Sequence, residues 1–299
     1  MEKTLFSGVG TAIVTPFKNG KVDFNAFELL IEKQLRANID ALIVLGTTGE
    51  PATISPKERK DIVAFCRELT DSKTKLIVGC GSNDTTKAIK LYKQAEEMGA
   101  DGALVVTPYY NKCSQGGLVE HYKKISSSGN LPIIVYNVPS RTGVNILPET
   151  AKKLSDIKNI YGLKEANGNI NQILEDFAQY GQDISIYSGE DLLNGIFYTL
   201  GGSGCISVVS NIFPKLCKKI YNLYKSNLYE NMLILQQQLM PFTKALFKEV
   251  NPIGIKAVLS ELKLCQNELR LPLTTISSEN FDILKKELNK VVGLENDCM

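Results

Sequence analysis

The feature that most constrains the fold is a repeated alternation of short apolar runs with longer segments of helical period. Eight runs rich in β-branched residues end in small or polar residues, namely GTAIVTP, ALIVLGTTGE, KLIVGCGSND, GALVVTPYYN, PIIVYNVPSR, YGLKEANGN, ISIYSGED and GCISVVSN. Each run is continuously apolar, a pattern typical of strands buried on both faces of a parallel sheet. The chain is therefore predicted to be an α/β protein.

Segments with helical spacing separate these runs, among them FNAFELLIEKQLRA and TTKAIKLYKQAEEMG. Ser55 before Pro56, Thr85 and Asn169 are candidate N-caps. Units of roughly 20 to 35 residues match βα repeats, and eight of them predict a (β/α)8 TIM barrel of about 250 residues.

A doubly wound parallel sheet would also alternate strands with helices. Its dinucleotide-binding members carry a G-x-G-x-x-G turn after the first strand. Here Gly8 and Gly10 are followed by Ile13 at the third glycine position, which favours the barrel.

Beyond Pro214 no further strand of this kind occurs, while segments such as LYENMLILQQQLM and PIGIKAVLSELKL keep helical spacing. We expect residues 1–227 to form the catalytic barrel and residues 228–299 to form a C-terminal helical extension. A chain of 299 residues, 43% of them hydrophobic, is long enough for a large core, in one barrel or in two smaller domains.

Composition narrows the chemistry. A net charge of +2, from 34 basic and 32 acidic residues, gives no electrostatic signature of nucleic-acid or anionic-membrane binding. The seven cysteines are scattered without a C-x-x-C pair, which favours packing residues in a reducing compartment over a disulfide framework or a zinc site. The start of the chain lacks a signal-peptide pattern and no run approaches about 20 apolar residues, so we expect a cytoplasmic protein.

The single histidine, His121, excludes several enzyme classes. Histidine-based metal sites, as in zinc aldolases, and serine triads need histidines that this chain does not have. Because His121 lies in the polar helical stretch GGLVEHYKKI, we expect it to be a solvated helix residue.

In a barrel, catalytic groups come from the carboxyl ends of the strands and the loops that follow. Those positions supply one amine, several phenols and hydroxyls, a guanidinium and glycine backbone, but no carboxylate cluster for a metal; they are Thr47, Thr48, Tyr109, Tyr110, Tyr136, Arg141, Lys164, Ser188 and Gly189. This inventory favours carbonyl chemistry through a lysine imine.

Lys164, in IYGLKEANGN, is the candidate nucleophile. A lysine amine attacks a carbonyl only when it is neutral, which requires desolvation or a nearby cation. Strand alternation would turn Lys164 and Glu165 to opposite faces, so that Glu165 need not neutralise it. An ordinary solvated lysine is the alternative, and spacing alone favours it.

The other candidates have structural alternatives too. GTTGE can offer backbone N–H groups and two hydroxyls to a carboxylate, or can be a simple turn. Tyr136 and Arg141 can move protons and bind a carboxylate, or can be a packing residue and an exposed charge. The glycines of LGGSGCISVV precede the eighth strand, on the face opposite the usual phosphate site of a barrel, so tight packing or a turn is favoured there over phosphate binding.

Taken together and in order, GTTGE, TPYYN, YNVPSRTG, GLKEA, YSGED and GGSGCISV resemble the dihydrodipicolinate synthases, within the pyruvate-dependent class I aldolases. The resemblance runs from TAIVTPF to NPIGIKAVL. It implies a homotetrameric (β/α)8 enzyme that condenses pyruvate with L-aspartate 4-semialdehyde, in the diaminopimelate route to lysine, without a separate cofactor or a metal.

The resemblance also implies roles for single residues. Lys164 matches the lysine that forms the imine with pyruvate, and Tyr136, Thr47 and Tyr110 match a proton-relay triad in which the tyrosine at position 110 reaches a neighbouring subunit. Thr47 and Thr48 match residues that hold the pyruvate carboxylate. The remaining matches are Arg141, which would receive the semialdehyde carboxylate at the entrance, and Gly189 and Ile206, which would contribute backbone groups.

Three rival functions stay open at this point. A sister aldolase, such as an N-acetylneuraminate lyase or a keto-sugar-acid aldolase, would share Lys164 and Tyr136, although Thr48 and Arg141 favour the synthase. A phosphate-handling isomerase would use LGGSGC and would not need the lysine. A non-catalytic binding protein would not require the whole set.

The chain departs from lysine-inhibited relatives at an effector site. Pro51, Pro56 and Lys87 replace a serine, a histidine and a glutamate, while Asn83 and Tyr109 match the family. Since Lys87 would repel the amine of a lysine ligand, weak or absent inhibition by lysine is predicted.

Overall fold

A computed structural model describes residues 3–298. Eight parallel strands close into a barrel in which each strand pairs with the next and the last pairs with the first. The strands are β1 Gly8–Ala12, β2 Ala41–Val44, β3 Lys75–Gly79, β4 Gly102–Val106, β5 Ile133–Asn137, β6 Ile160–Glu165, β7 Ser185–Ser188 and β8 Gly204–Ser207. The predicted (β/α)8 TIM barrel is confirmed.

Helices alternate with the strands and then continue beyond the barrel. They are α1 Phe24–Arg36, α2 Pro56–Leu69, α3 Thr85–Glu97, α4 Gln115–Ser126, α5 Pro148–Ser155, α6 Ile170–Tyr180, α7 Asn194–Thr199, α8 Pro214–Lys225, α9 Tyr229–Leu246, α10 Ile253–Glu261 and α11 Ser278–Asn296. A hairpin of Phe17–Lys18 and Lys21–Val22 follows β1, and a short helix, Pro139–Thr142, follows β5.

The strands are buried on both faces, which explains their continuous apolar runs. Ile43 and Ile77 belong to the cluster that fills the barrel, whereas the next residues, Val44 and Val78, belong to the larger cluster between the barrel and its helices. Burial of each such side chain contributes about 1.5–3 kcal/mol, so both faces select apolar residues.

Gly204, the first residue of β8, serves close packing. Gly204 has a φ of 159°, and a Cβ there would overlap the carbonyl oxygen of Gly8 on the neighbouring β1. Only glycine allows the seam between β8 and β1 to close at this point. The expectation that LGGSGCISVV is a packing motif is confirmed at this position.

Two of the three predicted N-caps are confirmed. The Ser55 side chain accepts from the Glu58 N–H in a capping box, and Asn169 caps α6. At α3 the prediction was wrong: Asp84, not Thr85, accepts from the Thr86 N–H, because the cap requires the residue just before the first helical turn.

The chain after the barrel is helical, as predicted. Position 227/228 falls between α8 and α9, and the division into residues 1–227 and 228–299 stays a prediction whose outer ends, residues 1, 2 and 299, lie outside the described residues. The Gln236 side chain of α9 donates to the carbonyl of Asp191, so the added helices are joined to loops of the barrel. Across residues 3–298 the helices are too short or too polar to cross a membrane.

Candidate active site

Lys164 and Tyr136 lie side by side inside the barrel. They are paired in register on β6 and β5, and only 5% and 6% of their surfaces are exposed. The Lys164 Nζ lies 4.2 Å from the centroid of the Tyr136 ring. The alternative of a solvated lysine is therefore excluded, and a buried amine stands beside a phenol.

No carboxylate in the described part of the chain forms a salt bridge with Lys164. Glu190 is close enough to interact electrostatically with Lys164: burial and Asp191 raise the pKa of Glu190, and Lys164 opposes that rise. The amine is thus enclosed without being tied to a fixed anion, which leaves it available to a ligand.

Gly189, directly after β7, makes room for the lysine. A Cβ at this position would lie 2.9 Å from the Lys164 Cε, and the Gly189 N–H donates to the Glu165 carbonyl at 2.8 Å. A larger residue would displace the lysine side chain. Because the N–H is engaged, the carbonyl is the backbone group that Gly189 can offer to a substrate.

Ile206, on β8, belongs to the apolar cluster that fills the barrel, with Tyr136 and Tyr187. Its side chain is 1% exposed. The barrel interior is therefore packed with side chains, and in such barrels the active site lies at the carboxyl ends of the strands.

The GTTGE segment forms a tight turn after β2. Thr47–Gly49 is a single 3-10 turn, and Glu50, which ends it, has a φ of 52° in the left-handed region. Thr48 is 2% exposed, and its Oγ1 accepts a hydrogen bond of 2.9 Å from the Nδ2 of Asn251. The turn places two hydroxyls at the mouth of the barrel.

Tyr110 and Arg141 lie on outward loops. Tyr110, after β4, is 89% exposed and has a φ of 73°, an unfavourable backbone conformation for a tyrosine. Arg141, in the short helix after β5, is exposed and donates from Nη2 to the carbonyl of Asn251 at 3.0 Å. Within one chain no hydrogen bond of the described residues joins Tyr136, Thr47 and Tyr110, so their relay stays a prediction.

Glu165 faces away from Lys164, as strand alternation predicted. Its carboxylate accepts from the Asn137 Nδ2 at 2.9 and 3.1 Å on the outside of the barrel. Burial, aided by the nearby Asp176, raises the pKa of Glu165 to about 8, although these hydrogen bonds oppose the rise. At neutral pH Glu165 is therefore mostly protonated and adds little charge behind the lysine.

His121 is not the solvated residue that its polar surroundings predicted. It is 5% exposed between α4 and α3, and its Nδ1 is hydrogen-bonded to the Thr85 Oγ1 at 2.9 Å. Burial lowers the pKa of His121 to about 4. The helix turns this face inward because its neighbours Leu118, Tyr122 and Ile125 pack against the core.

Sequence reasoning assigned no role to three residues that contact the site: Glu50, Asn251 and Lys256. Lys256 is fully buried in α10 and forms a salt bridge with Glu50. The signal that could have found it is a lysine within the apolar run IGIKAVL, because a buried lysine needs a partner.

Among residues 3–298 no group of three or more metal-ligating side chains comes together.

Comparison with known proteins identifies the family to which the chain belongs. A family model described as the dihydrodipicolinate synthetase family matches residues 5–291. The 4-hydroxy-tetrahydrodipicolinate synthases of Thermotoga neapolitana and Alkaliphilus oremlandii are 50% and 48% identical to this chain, and each alignment covers 96% of this chain and 99% of the relative.

The same likeness holds in three dimensions. The crystal structure of dihydrodipicolinate synthase from Thermotoga maritima superposes with a TM-score of 0.95 at 48% identity, over 97% of this chain and 99% of that one. Both the sequence and the fold are matched along nearly the whole length. The chain belongs to the dihydrodipicolinate synthetase family.

Proposed function

We propose that the chain acts as a 4-hydroxy-tetrahydrodipicolinate synthase, which condenses pyruvate with L-aspartate 4-semialdehyde through an imine on Lys164. The observation that carries the proposal is the buried Lys164 amine, which lies 4.2 Å from the centroid of the Tyr136 ring and forms no salt bridge with a carboxylate of residues 3–298. The family and its full-length relatives support the reaction over that of a sister aldolase.

The reaction begins with the Lys164 Nζ. The neutral amine attacks the carbonyl carbon of pyruvate, and loss of water gives an imine. The C=N bond then accepts electrons, so that the methyl group of pyruvate loses a proton and becomes an enamine carbon. We assign the transfer of this proton to Tyr136, whose phenol is beside the amine.

The enamine carbon next attacks the aldehyde of the second substrate, and the aldehyde oxygen takes up a proton. The amine of the bound semialdehyde then attacks the imine carbon, which closes the ring and releases Lys164 as a free amine. Each cycle therefore returns the lysine unchanged, which is why the reaction needs no separate cofactor.

Two carboxylates have to be held during this sequence. We assign the pyruvate carboxylate to the Thr47 and Thr48 hydroxyls and to backbone groups of the turn, and the semialdehyde carboxylate to Arg141 at the entrance. Gly189 and Ile206 are proposed to contribute backbone contacts. The buried turn and the exposed arginine suit an inner and an outer substrate, respectively.

Completion of the site by a second subunit is also proposed. Tyr110 is a large aromatic side chain, almost fully exposed, held in a left-handed backbone conformation. Such a conformation costs about 1–2 kcal/mol and persists when the surroundings favour it. We propose that Tyr110 enters the site of a neighbouring chain in a homotetramer, and that the assembly works in the cytoplasm.

Substrate comparison tests the proposed function. Purified protein is supplied with pyruvate and aspartate semialdehyde in one assay and with N-acetylneuraminate in the other. We expect turnover of the first pair and no cleavage of the second substrate. Cleavage of N-acetylneuraminate without turnover of the semialdehyde would assign the chain to the sister aldolases.

A further inference from the structure

Residues 251–256, at the start of α10, contact the candidate site from outside the barrel. The Asn251 side chain bonds Thr48, its carbonyl accepts from Arg141, and Lys256 bonds Glu50. One short segment therefore touches both proposed carboxylate-binding groups and the end of the threonine turn.

The turn Thr47–Gly49, here called the threonine turn, is ended by a residue whose backbone conformation requires stabilising contacts. Glu50 ends it with a φ of 52°, a conformation that residues other than glycine adopt only when their surroundings favour it. The Glu50 carboxylate is engaged on both oxygens, by the Lys256 Nζ and by the N–H of Arg270 at 3.1 Å. These bonds fix the residue directly after the two threonines and glycine.

Lys256 is in turn fully engaged. It is 0% exposed, it donates to the carbonyl of Glu268 at 2.8 Å, and it lies 4.0 Å from the centroid of the Phe17 ring. Moving Glu50 away would leave the Lys256 ammonium buried without its carboxylate, which would strongly destabilise the fold. Glu50 is therefore held at this position. The pair holds the turn between the loop after β1 and α10.

Asn251 determines what the Thr48 hydroxyl can do. The amide Nδ2 can only donate, so the Thr48 Oγ1 is an acceptor in their 2.9 Å hydrogen bond. The single proton of the hydroxyl is then free to donate to another group. A hydroxyl oriented in this way suits a carboxylate, which only accepts.

We propose that Asn251 and Lys256 are positioning residues that set the affinity of the threonine turn for the carboxylate of a 2-oxo acid substrate. The proposal rests on the proposed function, because it takes pyruvate as the ligand of the turn. Neither residue touches the reacting atoms, so the rate at saturating pyruvate should change much less than the half-saturating concentration.

The test measures formation of the borohydride-reduced pyruvyl adduct by intact-protein mass spectrometry over a range of pyruvate concentrations. In N251D the carboxylate accepts the Thr48 proton and adds negative charge at the turn. Its half-saturating concentration should rise about tenfold or more, whereas N251A should cost only a few-fold. Saturating pyruvate should restore most of the adduct in both variants.

K256M leaves Glu50 buried without its partner and should also raise the half-saturating concentration about tenfold. Exchange of Glu50 as well, in K256M/E50Q, removes the unpaired charge and should recover part of the loss. K218M is the matched control, since it breaks the Lys218–Asp40 salt bridge, which lies at the start of β2 and not at its carboxyl end. This variant should keep the native half-saturating concentration.

The outcomes separate the two proposals. If the native chain forms no adduct, the proposed function fails. If the native chain forms it but N251D and folded K256M saturate at the native concentration, the positioning role is wrong. If K256M does not fold, the N251D variant tests the inference by itself. An N251D protein that unfolds at the native temperature and has the native half-saturating pyruvate concentration would overturn the inference.

Discussion

Two lysines in the described part of the chain, Lys164 and Lys256, are buried in nearly the same physical setting. Lys164 is 5% exposed with its Nζ 4.2 Å from the ring centroid of Tyr136, and Lys256 is 0% exposed with its Nζ 4.0 Å from that of Phe17. They differ in their partners: Lys256 forms a salt bridge with Glu50, whereas Lys164 forms none among the described residues. Burial and an aromatic neighbour therefore do not by themselves make a lysine a nucleophile.

The role of a buried amine therefore depends on whether neighbouring groups already accept hydrogen bonds from it. The carboxylate beside Lys256 and the carbonyl of Glu268 use its donors, so it holds structure. The carboxylate that follows Lys164 in sequence points to the other face of β6 and bonds Asn137. The Lys164 amine is therefore not paired with a carboxylate of the described residues, and in its neutral form its lone pair can attack a substrate.

The largest expected effect is the loss of condensation activity when Lys164, but not Lys256, is replaced. K164A should lower condensation activity at least about a thousandfold even at saturating pyruvate, because no imine can form. K256M should be rescued largely by more pyruvate. Steady-state kinetics with both substrates check this, and a K164A variant that keeps more than a few per cent of native turnover would contradict the assignment of Lys164.

A smaller effect tests whether the site of Lys164 is completed by another chain. Y110F should lower turnover about 10- to 100-fold through the lost proton relay. When K164A and Y110F chains are co-expressed, a mixed dimer would hold one site with both native residues, so activity should exceed that of either variant alone.

Mixed oligomers purified by two different tags provide this measurement. Activity equal to the average of the two variants would show that Tyr110 acts in its own chain or not at all. Co-expressed native and K164A chains serve as the control, since the number of intact sites then follows the native fraction only.

Buried carboxyl groups lie behind β6, on the face of the strand opposite Lys164. Burial raises the pKa of Asp176 to about 7, so the folded chain holds a proton that the unfolded chain releases above about pH 4. Between the pKa of the unfolded state and that of the folded state, the free energy of unfolding falls as pH rises. Above about pH 7 Asp176 is ionised in both the folded and the unfolded state, and the free energy of unfolding falls no further. D176N removes this penalty.

D176N should therefore raise the free energy of unfolding by about 1–3 kcal/mol at pH 8, and the gain should shrink at pH 5. Thermal unfolding at the two pH values measures the effect as a shift of a few degrees in the midpoint. D282N, at an exposed position of α11, is the control and should leave the difference between the two pH values unchanged. An equal gain for D176N at both pH values would contradict the assignment of the penalty to ionisation.

The smallest expected effect concerns a free lysine as ligand. Lys87 is exposed on α3, and Pro51 and Pro56 are exposed around α2, where lysine-inhibited relatives would place polar or acidic groups. Lysine should therefore inhibit weakly or not at all. Turnover at subsaturating pyruvate with increasing lysine measures this, with K87E as the variant that should gain sensitivity; half-inhibition of the native chain at micromolar lysine would show the prediction wrong.

Much of the fold could be predicted because parallel barrel strands are buried on both faces, and this leaves continuous apolar runs in the sequence. The catalytic candidates were predictable as a set because the end of each run marks the carboxyl end of a strand, as with Lys164 and Gly189. Their spatial arrangement was not, since it depends on how strands far apart in sequence are placed in register.

The residues that sequence reasoning missed depend on distant contacts. Lys256 meets Glu50 across 206 residues, and no local pattern near Glu50 predicts a buried partner. His121 lies in a polar stretch but is buried, because α3 covers the face of α4 that carries it. In both cases tertiary packing, and not local composition, determines the environment of a titratable group.

The most direct test of Lys164 as the nucleophile is to identify the lysine that forms the imine. The native protein is incubated with pyruvate, reduced with borohydride and digested, and peptide mass spectrometry identifies the modified lysine. We expect a pyruvyl adduct on Lys164, none on Lys256, and no adduct in K164A. An unmodified Lys164 in the native protein, or an adduct of equal yield in K164A, would contradict it.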